Sequence, residues 1–325
     1  MSEAIERRAG TVPALVSGAL SGVLYATLAL SPAFLAPLQA ARRRGGFRAF
    51  LIAGTIALAA CAAVTVARFR SLAVPFGILD VLSGLLMPGS LVAALALVNV
   101  PALSGVHLAY RLLLGTGIAT LGAMPALLPV VTGPESAAHL ERMFSAVAEA
   151  MNGGAEGLER FDAAALAAAF RMAMTNGFVA GLLFILTADY WVGERFGRKA
   201  GEPRGDGLGS FKVPAGLLWP FLVAWAATLV TRVLETGAVE VVAWNGALPL
   251  SVLYGFQGLS LLGRLAARWI PRPLRFAAAF TLALLALSPA TSLGVAIALP
   301  VLGLSENWIP YRTTKEITDE GHPEQ

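Results

Sequence analysis

The chain has 325 residues, of which 57% are hydrophobic and only 14% charged, with a formal net charge of +4. A mean hydropathy of +0.71 excludes a water-soluble globular domain, and arginines dispersed between apolar runs exclude the clustered basic face of a nucleic-acid binder. A single cysteine, Cys61, excludes an internal disulfide and a cysteine-based metal site.

The first apolar stretch, residues 11–41, follows Arg7 and Arg8 and precedes the basic cluster Arg42, Arg43, Arg44 and Arg48. It is longer than the apolar core of a secretory signal, which predicts a retained span. Ser31-Pro32 and Ala36-Pro37 interrupt it, because proline removes a helical hydrogen bond and collides with the preceding turn. The stretch is therefore either one kinked helix or one crossing helix followed by a short partial insertion. Gly18 and Gly22 form a GxxxG pair, reinforced by Ser17 and Ser21, on which another helix can pack closely. A second span is expected over 46–67, uncharged after Arg48. A third covers 72–98 and is interrupted by Pro75, Asp80 and Pro88-Gly89. A fourth covers 111–131 and is rich in small residues, among them Gly115, Gly117 and Gly122.

From 132 to 170 the chain turns acidic, with Glu135, Glu141, Glu149, Glu156, Glu159 and Asp162 against Arg142 and Arg160. Thr132 and Glu135 have capping-box spacing. Leu140, Met143, Phe144, Val147 and Met151 then recur on one helical face. Asn152-Gly153-Gly154 ends that helix, and a second, alanine-rich one begins near Gly157. Residues 132–170 are thus expected as an amphipathic hairpin on the membrane surface.

Span five is expected over 172–192, followed by a basic loop, 193–212. Span six covers 213–231, starting at Pro214 where a missing N–H costs little. Span seven covers 246–262, and its exit loop carries Arg264, Arg268, Arg272 and Arg275. The last apolar stretch, 276–304, is broken at Ser288-Pro289, and the polar tail 313–325 is expected to be disordered. The positive-inside rule puts the basic loops in the cytoplasm and the acidic hairpin outside. The fold class expected is all-α: a polytopic transmembrane helical bundle of about eight spans, one integral domain over 1–312. The expected location is a bacterial inner membrane. No internal repeat is evident, so inverted-repeat symmetry supplies no argument.

Polar residues within the spans are candidate ligand groups. Asp80 leads, because an ionisable group inside a span is costly and its surroundings, Gly77, Gly84 and Pro88-Gly89, read as broken helix. The structural alternative is a carboxylate capping a half-helix near the interface. Tyr254 and Gln257 lie three apart on one face of span seven and Asn176 lies in span five. Such groups bond a neighbouring helix more often than a ligand. Asp189, beside Tyr190 and Trp191 near the end of span five, reads as an interfacial anchor. Glu306, Trp308 and Arg312, just beyond the last span, are candidate contacts to lipid or a partner. His107, His139 and His322 are scattered and no Walker A sequence occurs, so neither a metal, a cofactor nor catalysis is expected.

The stretch from Leu302 to Arg312, reading LGLSENWIPYR, resembles the closing motif of the YybS-like family of bacterial membrane proteins. Tyr254-Gly255-Phe256-Gln257-Gly258-Leu259 is similar to that family's aromatic/Gln-Gly signature, and Lys212-Val213-Pro214 to its Val-Pro helix start. Pro310 departs from the acidic residue common before the aromatic-arginine pair. The resemblance implies a fold similar to the substrate-binding membrane subunits of energy-coupling vitamin transporters and to rod-shape proteins of the MreD type. The resulting expectation is a small-molecule-binding or transport component served by a partner ATPase subunit. A non-transporting scaffold for envelope or division machinery is the alternative.

Overall fold

The structure is a computed structural model that describes the chain except residues 1, 28, 72–75, 153–161, 199–201, 203–206, 235–236, 272, 289, 310 and 312–325. The expected tail, Arg312 and the start of the hairpin's second arm lie outside the described residues. Among the described residues ten α-helices follow one another and no strand occurs. They are α1 (Ser2–Ala26), α2 (Ala36–Ser71), α3 (Ile78–Val98), α4 (Leu108–Thr132), α5 (Pro134–Asn152), α6 (Ala163–Phe196), α7 (Leu218–Leu234), α8 (Ala238–Trp269), α9 (Leu274–Leu287) and α10 (Ser292–Ser305). Lipid supplies no hydrogen bonds, so a chain this apolar closes its backbone polar groups within helices. Among the described residues six helical stretches are long and apolar enough to cross a membrane, and α9 with α10, meeting at 118°, would make a seventh.

The first apolar stretch becomes α1, in which Val12–Ala26 is an apolar helix, and a segment that leads into α2. That segment passes through a 3-10 turn at Ser31–Ala33 and becomes the start of α2. Gly46, at φ 74°, breaks α2 into a half-helix over 36–45 and a long piece over 47–71. Few residues other than glycine adopt that backbone. Elsewhere proline does not break the chain: α3 continues through Pro88, and α4 through Pro125 and Pro129. The expected interruption at Pro88-Gly89 is therefore absent.

The chain folds as two compact units, one comprising 1–208 with 219–252 and the other 209–218 with 253–325. In the first, small residues let helices touch. A Cβ on Gly18 would meet the Ala53 carbonyl and Ile56, and one on Gly22 would meet Ala60. Both pairs advance in the same direction, so α1 runs parallel to the long piece of α2. Gly115 packs on the Ala94 carbonyl, Val98 and Leu186, and Gly122 on Ser90, which joins α3, α4 and α6. Trp225 donates to Ser251 at 3.0 Å and its ring meets Trp244 edge-on, which joins α7 to α8.

The α6 helix is a single run of 34 residues, about 51 Å long against a hydrocarbon core of about 30 Å. Its alanine-rich beginning was expected as a separate arm of the surface hairpin. No glycine or proline separates Phe170 from Met172, so the helix continues. α5 packs on this extension through Phe144 and Phe170, whose rings lie 5.6 Å apart.

In the second unit α8 and α10 cross with backbones in contact. A Cβ on Gly258 would run into the Leu299 carbonyl oxygen, and one on Gly303 into that of Tyr254.

Candidate functional site

The half-helix over 36–45 is short, and its first amides have no intrahelical partners. Asp189, only 4% exposed, supplies one. Its carboxylate accepts from the Leu35 N–H at 3.0 Å and from the Ala36 N–H. A carboxylate at a helix N-terminus also meets the positive end of the helix dipole. Pro37 sits where its missing N–H is no loss.

One turn on, Gln39 is fully buried and exchanges hydrogen bonds with Asn99: Gln39 Nε2 donates at 3.2 Å, and Asn99 Nδ2 returns at 2.6 Å. Gln39 Nε2 also donates to Glu194 at 2.8 Å. Further on, Arg43 pairs with Glu202 at 2.8 Å and lies 3.7 Å from Glu194, while Arg44 donates to the Phe196 carbonyl at 2.6 Å. Gly193 and Gly197 give α6 the closeness this needs, because a Cβ at either would run into Ala36, Gln39, Ala40 or Arg43. Four polar fastenings therefore hold one short half-helix against α6 and the end of α3.

A cavity of about 160 Å³ is lined by Tyr25, Ser31, Pro32, Phe34, Met87, Pro88, Leu91 and Ile185. Its walls are almost wholly apolar. In its wall Phe34 stands edge-on to Tyr25, and Ile185 lies one turn before Asp189. Ser21 donates to the Phe34 carbonyl and fixes the segment before α2 against α1.

The residues singled out from the sequence lie elsewhere. Asp80 is in the first turn of α3, exposed, and accepts from the Gly77 N–H at 2.8 Å, the geometry of a helix cap. Asn176 is half-buried on α6, with its Oδ1 enclosed and without a hydrogen-bond partner. The α6–α8 contact beside it is made by Asn245, which donates to the Thr175 carbonyl at 2.7 Å and accepts from the Val179 N–H at 3.3 Å.

Tyr254 and Gln257 come together in the second unit, both fully buried. Gln257 Oε1 accepts from the Val213 N–H at 2.7 Å, and its Nε2 donates to the Gly303 carbonyl and the Glu306 carboxylate, each at 2.9 Å. Glu306 is 6% exposed, whereas Trp308 is 64% exposed. The three stretches that carried the family resemblance thus meet at one amide side chain. Gln257 acts there as a fastener between segments.

Sequence reasoning missed the residues that seat the half-helix. Asp189 reads as an anchor because it adjoins Tyr190 and Trp191, and its partner amide lies 154 residues away. A usable signal was the concurrence of Pro32, Pro37 and Gln39 in an otherwise apolar run: a break that leaves amides unmet needs a buried acceptor.

Comparison with curated proteins and with solved structures returns no match. The apolar helices make this a multi-pass membrane protein. In agreement, residues 138–299 match the family described as "Predicted membrane protein (DUF2232)".

Proposed function

We propose that the protein is the small-molecule-binding component of a transport system in a bacterial inner membrane. It captures an apolar molecule, or the apolar part of a larger one, in the cavity between α1, the segment before α2, α3 and α6. The observation that carries this reading is that cavity, walled in part by the irregular 3-10 turn at Ser31–Ala33 between α1 and α2. Irregular backbone at membrane depth is tolerated where it is buried in protein or lines a cavity, and transporters place binding sites at such breaks. The volume of about 160 Å³ is close to that of an engineered apolar cavity of roughly 150 Å³ that holds benzene. The fitting ligand group is of about that size. The chain carries no Walker A sequence, so a partner ATPase would supply the energy. The likeness of 302–312 to YybS-like proteins, and through them to coupling-factor subunits, supports the same reading.

The test is mass spectrometry of small molecules that co-purify with the protein in mild detergent, beside a Ser31→Trp variant that fills the cavity. A compound present with the parent and lost from a folded Ser31→Trp protein is the expected result. Its absence from the parent, or its equal presence in both, overturns the reading. Recovery of envelope or division proteins in place of an ATPase would favour the scaffold alternative. Of that alternative's supports, the Gly18/Gly22 surface is already covered by Ala53, Ile56 and Ala60 of the same chain.

A further inference from the structure

At the arginine-bearing end of the first unit, two guanidinium groups are left without a counter-charge. Arg42 stands one turn beyond Gln39 on the half-helix, and Arg111 lies in the first turn of α4. Both are half-buried, and the Nε of each is enclosed without a hydrogen-bond partner. Arg111 uses Nη1 alone, donating to the Val98 carbonyl at 2.8 Å. Among the described residues Arg42 makes no hydrogen bond, and neither arginine pairs with a carboxylate. Their neighbours are already engaged: Arg43 pairs with Glu194 and Glu202, and Arg44 holds the Phe196 carbonyl.

The two unengaged arginines come to one place. Gln39 bonds Asn99 at the end of α3, and Arg111 bonds Val98, the residue before it. Gln39 also bonds Glu194, which stands one turn beyond Tyr190 on α6. The Tyr190 hydroxyl has no hydrogen-bond partner among the described residues and lies within reach of the charges of Arg111, Arg42, Arg43 and Glu194. Arg43 and Glu194 stand 3.7 Å apart and offset each other, so the charges of Arg42 and Arg111 remain.

A half-buried guanidinium with no acceptor bears the cost of its desolvation and gains nothing in return. A phosphate group offsets that cost, because its oxygens accept from guanidinium N–H groups and from a phenol. The site lies where α3 ends and α4 begins, beside Tyr190 and Trp191, whose rings meet edge-on at 5.3 Å. Tyrosine and tryptophan collect at the headgroup level of a bilayer, and basic pockets between spans at that level take lipid headgroups. We propose that Arg42, Arg111 and Tyr190 form a binding site for a phosphate group. Its source is an anionic phospholipid headgroup, or a free phosphate compound that reaches the same donors from the cytoplasm. The site shares no residue with the lining of the apolar cavity, so it stands or falls apart from the binding reading above.

The experiment takes the full chain in neutral detergent, stripped of native lipid, and titrates it with phosphatidylglycerol, phosphatidylcholine and inorganic phosphate. Bound lipid is counted from the mass of the intact complex, and phosphate binding is read from the rise in melting temperature. Phosphatidylglycerol bound at least about tenfold more tightly than phosphatidylcholine assigns the phosphate to lipid. Stabilisation by inorganic phosphate without that preference assigns it to a soluble compound. In either case Arg42→Gln and Arg111→Gln are each expected to weaken binding about tenfold, the factor carried by one hydrogen bond to a charged group. Tyr190→Phe weakens it by less. Arg48→Gln removes an exposed arginine of the same stretch and should leave binding within about twofold, as a screened surface charge does. Absence of both the lipid preference and the phosphate effect overturns the site. So does unchanged binding by Arg42→Gln, or equal weakening by Arg42→Gln and Arg48→Gln, which would mark diffuse surface charge. Should Arg111→Gln not fold for want of its bond to Val98, Arg42→Gln decides, since Arg42 holds no hydrogen bond among the described residues.

Discussion

At the scale of single residues, glycines separate into those that touch and those that do not. Gly258 and Gly303 lie against facing carbonyls with no space for a methyl group, so Gly303→Ala should destabilise the protein by about 3 kcal/mol. Gly89, inside α3, has nothing within 4 Å of where a Cβ would stand. Gly89→Ala should stabilise by about 0.5–1 kcal/mol through helix propensity. Thermal unfolding in one detergent compares the two. Gln257→Leu strands the Val213 N–H and removes a buried partner of Glu306, a loss of about 3 kcal/mol on the same measurement. His107 caps α4 by accepting from the Ala109 N–H at 3.2 Å through Nδ1. Burial, and then the Arg111 guanidinium, hold its pKa below the usual histidine value of 6.5. The fold thus favours neutral imidazole, and a protonated ring cannot accept that bond. Its contribution is complete above pH 6.5 and is lost as the pH falls through the lower folded-state pKa. Exchange of the α4 amides next to the cap should quicken on acidification, and His107→Asn should abolish that dependence. Gln257 was legible as a residue that bonds a neighbouring segment, because an amide in an apolar run has few other options. The identity of its partners was not, since they come from segments 44 to 49 positions away.

At the scale of elements, the helices themselves were readable from apolar length, and their ends less so. Proline misled in both directions. Pro88, Pro125 and Pro129 leave α3 and α4 unbroken, whereas Pro32 and Pro37 stand at a true interruption. Sequence spacing does not report whether neighbouring helices can take over a lost hydrogen bond, and that decides the outcome. Gly46 gave no warning, because Gly45-Gly46 sits among arginines and reads as a loop between spans. The amphipathic face of α5 was visible, and its docking partner is the N-terminal extension of α6. Phe144→Ala should loosen that contact by about 1 kcal/mol. Amide exchange in α5 should rise while α2, α3 and α4 stay as they were.

For the whole molecule, composition alone established lipid as the solvent and α-helix as the only economical backbone. The count of crossings was harder, because it depends on whether an apolar stretch folds back. The arginine clusters at 42–48 and 264–275, with the loop after α6, should face the cytoplasm. A fluorescent reporter fused after residue 202 should fold and emit, and a periplasmic phosphatase fused after residue 133 should be active. The reverse pattern would invert that orientation. Of the ligand groups proposed from sequence, Asp80 caps its own helix and Gln257 fastens three segments, whereas Asn176 keeps an enclosed Oδ1 without a hydrogen-bond partner.

The 154-residue separation between Leu35 and Asp189 has a consequence for biogenesis. A ribosome adding about 5–20 residues per second takes roughly ten to thirty seconds to travel that far. Throughout that interval the first amides of the nascent half-helix lack the Asp189 carboxylate, although Asn99, the partner of Gln39, is made after 60 residues. The half-helix must shelter at the lipid headgroups or under an insertase until α6 arrives, so chains truncated before Asp189 should be prime substrates for membrane quality-control proteases.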